Sequence, residues 1–168
     1  MLTEFIRNFY AYSAWANQRI LKTADGLTAA QFVSEPEVNM PGLRDLLVHI
    51  MSAERVWGAR FRQVKPPPVL RGQDFPDQAS VRALWSTVAA ETQSFVASVD
   101  DRTLGLPAPH VNSKGEHYTY PLWQIMLHQA NHAMQHRSEA ALLLTRLGFS
   151  PGGLDYLVYV DQSKSTAS

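Results

Sequence analysis

The sequence predicts an all-α protein: a four-helix bundle with a short irregular or hairpin segment before the last long helix. Four stretches of about twenty residues carry apolar side chains at helical spacing. Of the 168 residues, 45% are hydrophobic and 18% are charged, which is a globular composition. No strong strand pattern separates the helical stretches, so a single bundle domain over residues 1–168 is expected.

The first half of the chain contains two of these long helices. The first is predicted from Thr3 to Thr23, and Thr28–Gln31 has the pattern of a capping box that opens a short turn of helix. The second is predicted from Leu43 to Val64, because the prolines at Pro66–Pro68 end it. A polar connection from Val69 to Ala79 follows.

A third helix is predicted from Ser80 to Val99, before an irregular stretch from Leu104 to Tyr120. Within that stretch, Asn112–Gly115 is a turn signal. Its flanks, Val111 and Tyr118–Tyr120, predict a short hairpin.

The fourth helix is predicted from Pro121 to Leu147. Proline is favoured in the first turn of a helix, and Gly148 is placed as the C-cap. A short apolar tail is expected from Leu154 to Val160.

Composition excludes several classes of function. Lys and Arg total 15 and balance 15 Asp and Glu, so no basic field favours nucleic acid or an anionic membrane. The absence of Cys excludes disulfides, thiolate metal sites and a cysteine nucleophile. No apolar run reaches about 20 residues and the first residues lack a signal-peptide pattern, so we expect a cytoplasmic protein with a small-molecule partner.

Three histidines follow one another at i, i+4 spacing in the fourth predicted helix: His128, His132 and His136. This spacing places neighbouring imidazoles on one face, about 40° apart around the helix axis. Apolar residues continue the same stripe, which predicts that the histidines face the interior. His49 in the second helix has apolar neighbours at helical spacing and is expected to face inward too.

Two inward-facing sets of imidazoles on facing helices predict a divalent metal site. Two ligands come from one helix and His49 supplies the third, which leaves a coordination position open, as in catalytic zinc sites. Spacing alone leaves the pair open between His128/His132 and His132/His136. A histidine stripe exposed to solvent is the structural alternative. The His-Glu-x-x-His and Glu-x-x-His patterns are both absent.

Several segments resemble the DinB-like (DinB/YfiT) family. Leu46–Trp57 is similar to a helix in which a His precedes an acidic residue and a Trp, and Leu127–Arg137 is similar to the second histidine signature of the family. Tyr12–Asn17 resembles its aromatic–Trp–Ala–Asn segment. The end of the fourth helix also matches, so the likeness covers nearly the whole chain.

The resemblance implies a four-helix bundle with a three-histidine divalent metal site, usually holding zinc or nickel, and often a homodimer. Carried over by position, the metal ligands are His49, His132 and His136. His128 matches a signature histidine that is not usually a ligand, and it becomes the candidate catalytic residue for moving a proton.

The sequence departs from the family pattern next to the expected ligands. Gln135 replaces one histidine, and Ser138 with Glu139 replaces Gly-Gln after Arg137. Glu139 and Asp45 are therefore candidates for carboxylates that orient ligands. An ordinary exposed carboxylate is the alternative for both.

The expected function is that of a metal-dependent S-transferase or hydrolase that activates a low-molecular-weight thiol or water. The absence of Cys requires any thiol to come from outside the chain. The alternatives are a non-catalytic metal-binding or stress-related helical module and a purely structural bundle. Arg137 is expected to brace a helix end or a partner, and His110 and His117 are expected to be exposed. The tryptophans are expected to lie mostly in the core or a dimer interface, with lining of the pocket as the alternative.

Overall fold

The computed structural model describes residues 1–34, 41–112 and 114–165 and is mainly helical, as predicted. None of the described helices has the length and apolar character needed to cross a membrane. In chain order the elements are α1 (Leu2–Ala24), α2 (Ala29–Phe32), α3 (Leu43–Phe61), a 3-10 turn (Gly72–Asp74), α4 (Gln78–Ser98), α5 (Asp101–Gly105), β1 (Pro107–Val111), β2 (His117–Pro121), α6 (Leu122–Arg146) and α7 (Tyr156–Ser165).

The four long helices pack against one another around two groups of buried apolar side chains. Helix α1 packs against α6, α4 packs against α3, and α1 and α4 also contact each other. The most extensive contact joins α3 to α6. One apolar group includes Ile20, Ile50 and Leu144, and the other includes Ile6 and Met126. Burial of these side chains is the main favourable contribution to folding.

Helix α3 ends at Phe61, three residues before the predicted Val64. Gln63 has a φ of 55°, a left-handed conformation that stops the helix before the prolines. The amide of Gln63 donates to the Arg60 carbonyl at 3.1 Å and that of Val64 to the Ala59 carbonyl at 3.0 Å. These bonds satisfy the last carbonyls, as in a Schellman end that normally uses glycine.

Helix α4 begins at Gln78, two residues before the predicted Ser80, because Asp77 caps it. The Asp77 carboxylate accepts a hydrogen bond from the amide of Ser80 at 2.8 Å. The stretch from Leu104, predicted to be irregular, contains the end of α5, whose N-cap is Asp100. By contrast, the predicted capping box at Thr28 is confirmed.

The predicted hairpin is confirmed and is longer than expected. Strands β1 and β2 pair antiparallel, and His110 lies opposite Tyr118. The Asn112 side chain accepts bonds from the amides of Lys114 and Glu116, which fixes the turn. Ser113, part of the predicted turn signal, lies outside the described residues.

Helix α6 ends at Arg146 with Leu147 as its C-cap, so Gly148 follows the cap and does not form it as predicted. Its φ of 88° is the left-handed conformation that glycine adopts without steric cost. The amide of Phe149 closes the end by donating to the Leu144 carbonyl at 2.8 Å. The predicted apolar tail is largely helical, because α7 covers most of it and packs on α1.

Candidate metal centre

Three histidines from two helices meet at the contact between α3 and α6. The ring centroid of His49 lies 5.1 Å from that of His132 and 4.5 Å from that of His136. The rings of His132 and His136, one turn apart on α6, have centroids 4.6 Å apart. One nitrogen from each ring lies within 4.8 Å of the other two. The fold thus brings together residues that are 83 positions apart in the chain.

The prediction that these histidines face the interior is wrong. His49 and His128 are exposed, and His132 and His136 are half-buried. The buried face of α6 is instead centred on Ala133, and His132 lies about 100° away from it around the helix. The histidines therefore line an open edge between two helices, which a ligand can reach from solvent.

The donor set fits one divalent transition metal ion. The Nε2 atoms of His49 and His132 are 3.4 Å apart. Two nitrogens bound to one tetrahedral zinc ion at about 2.0–2.1 Å lie about 3.3 Å from each other. A separation of this size also allows an N–H···N hydrogen bond, so the neutral rings are compatible in the absence of an ion. Three imidazoles could hold the ion and leave a coordination position open.

The surroundings of the histidines favour the protonation state that binds metals. Burial, together with the nearby rings of His136 and His49, lowers the pKa of His132 to about 4. The outer edge of His49 is open to solvent, yet the protein atoms packed around the rest of the ring lower its pKa as well. Because both pKa values lie below the ordinary value of 6.5, both rings are neutral near neutral pH.

The Glu139 carboxylate accepts a hydrogen bond from Nδ1 of His136, the nitrogen on the outer side of the ring. The distance from Nδ1 of His136 to Oε2 of Glu139 is 2.7 Å. This bond leaves Nε2 of His136 free, which is the arrangement typical of histidine ligands in metal sites. Asp45, the other candidate carboxylate, is exposed and pairs with Arg44 at 3.5 Å. Only Glu139 is therefore found beside the histidine trio within the described parts of the chain.

A cleft adjoins the trio, and His128 lies between the cleft and the trio. The cleft, which we call the hairpin cleft, is a cavity of about 360 Å³ bounded by the hairpin, α3 and α6. Its lining rings belong to Trp57, His110, Tyr118, Tyr120 and His128. Asn112, Gln124 and Ile125 complete the described lining.

His128 contacts both the trio and the cleft. Its ring centroid is 6.2 Å from that of His132 and 5.0 Å from that of Trp57. The sequence placed Trp57 among residues of the core or an interface, but its ring is half-buried and lines the cleft.

The prediction that His110 is exposed is wrong, whereas His117 is exposed as expected. The His110 ring packs edge-on against Trp57, with centroids 5.3 Å apart. Burial lowers its pKa below the ordinary 6.5. The sequence did contain a signal for this position. Tyr118 and Tyr120 are alternate residues of one strand and so share a face of the hairpin, and His110 lies opposite Tyr118 on the other strand.

Arg137 is buried in the core, where it joins two of the family-like segments. Its guanidinium donates to Ser13 Oγ at 2.9 Å and to Asn17 Oδ1 at 3.0 Å. Arg137 therefore joins the middles of α1 and α6 away from solvent, and not a helix end or a partner as predicted. The exposed site and this buried contact lie on different faces of α6.

The acidic residue of the family-like segment Leu46–Trp57 is Glu54, a buried carboxylate for which no role was predicted. It accepts a hydrogen bond from Nε1 of Trp85 at 3.1 Å, so Trp85 is a core residue as expected. Burial raises the pKa of Glu54 above its ordinary 4.5. The sequence of α3 contains no signal of this bond, because the partner comes from another helix.

Comparison with known proteins supports one family. The family model described as the DinB family matches residues 1–166, nearly the full length of the chain. A search of curated proteins found no match.

Proposed function

The chain belongs to the DinB family, and from this premise we propose that it is a metal-dependent enzyme that activates a thiol or a water molecule for S-transfer to, or hydrolysis of, a small molecule. The observation that supports the proposal is the meeting of His49, His132 and His136 at an open helix edge. A site built only to stabilise the fold would normally supply four protein ligands.

We propose that these three histidines are the ligands of a zinc or nickel ion. Imidazole suits both metals. A bound divalent ion lowers the pKa of a coordinated water to about 7 and ionises a coordinated thiol. Glu139 engages Nδ1 of His136, which leaves Nε2 of that ring to bind the ion. Because the chain has no Cys, the thiol is an external cosubstrate.

We assign proton transfer to His128. Its ring is exposed, it lies beside His132, and it also lines the hairpin cleft. An imidazole in that position reaches both a group activated at the trio and a molecule in the cleft. Imidazole is the side chain that enzymes use most often for general acid–base catalysis.

Metal analysis tests the ligand assignment first. Protein purified without a histidine tag should contain close to one equivalent of metal, and His132→Ala or His49→Ala should lose it. His128→Ala should keep the metal. His117→Ala is the matched control, because it removes an exposed histidine outside the site. Equal metal content in His132→Ala and the parent chain would refute the assignment.

Turnover separates an enzyme from a metal-binding module without catalysis. The metal-loaded protein should convert thiol plus electrophile mixtures, or small esters, and His132→Ala should abolish this while its helical circular dichroism persists. His128→Ala should lower kcat by about 10²-fold or more and alter the pH profile. A metal-loaded protein that turns over neither substrate class would favour the binding module.

The remaining expectations stand as parts of the same proposal. The pairwise contacts of α1, α3, α4 and α6 support a four-helix bundle within a single domain. We also propose a homodimer located in the cytoplasm, with no nucleic-acid or membrane partner. Light scattering of the purified protein measures the mass that tests the dimer.

A further inference from the structure

We propose that the hairpin cleft binds an uncharged, planar aromatic compound that carries a hydroxyl group. The inference goes beyond the metal chemistry and rests on the proposed function only in assigning this compound the role of substrate. It is based on the aromatic side chains that form the walls, on the partners that the nearby charged groups already have, and on an exposed amide side chain in the lining.

The walls of the cleft are formed mainly by flat rings. Tyr118 and Tyr120 are almost parallel, with ring planes 11° apart and centroids separated by 6.0 Å. The His110 ring stacks on Tyr118 at 5.9 Å, and the indole of Trp57 lies on the α3 side. Such walls favour aromatic ligands by stacking and edge-to-face contacts. The volume of about 360 Å³ is near the lower end of ligand pockets, roughly 300–1,000 Å³, and suits a molecule of one or two rings.

No side chain of fixed charge lines the cleft within the described residues. Arg60, the cation close to His110, already has partners at the edge of the cleft: its guanidinium lies 4.4 Å from the Trp57 ring centroid and donates to the Val111 carbonyl at 3.2 Å. The nearest carboxylate, Glu116, accepts bonds from Tyr118 and Asn112. Transfer of an unpaired charged ligand into this cleft would therefore be unfavourable.

Gln124 provides a polar partner for the hydroxyl group. Its side chain is exposed and lines the cleft on the α6 side. The amide oxygen of a glutamine can accept a hydrogen bond from the hydroxyl group of a phenol, and the ring can then lie against Trp57.

Saturation-transfer NMR titrations with four matched probes test the proposal. Naphthol has the ring and the hydroxyl; decalinol lacks the flat ring, naphthoate is charged, and methoxynaphthalene has no hydroxyl hydrogen. Naphthol should bind saturably, and each of the other probes at least about threefold more weakly. Equal or tighter binding of decalinol or naphthoate, or no saturable binding of naphthol, overturns the proposal.

Two variants locate the binding. Tyr120→Ala should weaken naphthol binding by about threefold or more, whereas Tyr156→Ala should not. The two tyrosines are 42% and 43% exposed, so the comparison is matched for folding cost. Gln124→Trp fills the cleft from α6 without removing a packed side chain, and it should abolish binding. Unchanged naphthol affinity in both Tyr120→Ala and Gln124→Trp overturns the assignment to this cleft.

The metal-free variant His132→Ala distinguishes this inference from the proposed function. His132 does not line the cleft, so naphthol should bind His132→Ala within about twofold of the parent affinity. Binding without turnover of any substrate refutes the enzyme and leaves the cleft assignment intact. Turnover of a substrate without naphthol binding supports the enzyme and refutes the cleft assignment.

Discussion

Among single residues, Glu139 has the most specific effect on the histidine trio. Its bond to Nδ1 of His136 fixes which nitrogen faces His49 and His132. We predict that Glu139→Gln weakens zinc binding by about tenfold, because the neutral amide holds the ring less strongly and no longer raises its basicity. Competition with a chromophoric chelator at constant pH measures the affinity.

Glu91→Gln is the control for that measurement, since Glu91 is a carboxylate of α4 that pairs with Arg62 at the end of α3. Its zinc affinity should equal that of the parent chain. If Glu139→Gln and Glu91→Gln bind zinc equally well, Glu139 is an ordinary surface carboxylate.

A second prediction for a single residue concerns the buried Glu54 and the pH dependence of the free energy of unfolding. Burial raises its pKa in the folded chain above the ordinary 4.5, so the folded state binds the proton more tightly than the unfolded state. This contribution to stability is complete below pH 4.5 and is lost as the pH rises through the folded pKa. Glu54→Gln should therefore lose less stability than the parent chain as the pH is raised from about 4.5.

Urea unfolding at a series of pH values measures this difference. The glutamine oxygen can still accept the Trp85 bond, so the variant is expected to fold. Glu91→Gln again serves as the exposed control. A pH dependence of Glu54→Gln identical to that of the parent chain would contradict a shifted pKa at Glu54.

At the scale of elements, two helix ends use the same left-handed geometry with different residues. Gly148 follows α6 with φ 88°, and Gln63 follows α3 with φ 55°. The left-handed conformation costs a non-glycine residue about 1 kcal/mol or more. We predict that Gln63→Gly stabilises the fold by a few tenths to about 1 kcal/mol, because glycine removes that cost while one exposed side-chain bond to Arg60 is lost.

Gly148→Ala is the reciprocal test and should destabilise the fold by about 1 kcal/mol. An added methyl group at Gly148 meets no atom within 4 Å, so the effect reports the backbone alone. Chemical denaturation measures both variants. Stability unchanged in both would show that neither helix end depends on the left-handed residue.

The elements themselves were predictable because their signals are local. The Thr28 capping box, the turn at Asn112 and the helical spacing all act within a few residues. The boundaries were less predictable. The end of α3 was predicted too late because it was placed by the prolines, and nothing in the sequence marks Gln63 as left-handed. The start of α4 was also predicted too late, because Asp77 was not recognised as its N-cap.

The candidate site was predictable only in part, for a related reason. Spacing on one helix gave the i, i+4 pairs, but the choice of His132 with His136 came from the family resemblance. Exposure of the trio depends on how α6 is rotated against α3 and α1, which the stripe of histidines and alanines leaves ambiguous. The hairpin cleft combines side chains from three separate elements, so the aromatic residues of the hairpin indicate one wall but not the cleft itself.

For the whole molecule, the trio and Arg137 join α6 to different neighbours. Arg137 connects α6 to α1 through Asn17 and Ser13 in the core. His132 and His136 connect α6 to α3 at the open edge through His49. An ion at the trio would add a link between segments that are 83 residues apart, so metal binding and folding should be coupled.

We therefore predict that metal raises the thermal stability of the protein. A ligand that binds only the folded state at about 100 times its Kd adds about 2.7 kcal/mol. For a chain of this size 1 kcal/mol shifts Tm by about 2–4 °C, so saturating zinc should raise Tm by roughly 5–10 °C, less any binding to the unfolded chain. Differential scanning calorimetry with zinc, and again after chelation, measures the shift. His132→Ala should show almost none of it and His117→Ala all of it, because only the former removes a member of the trio. A shift of equal size in His132→Ala would mean that zinc stabilises the chain at some other place, and that the link between α3 and α6 does not depend on the histidine trio.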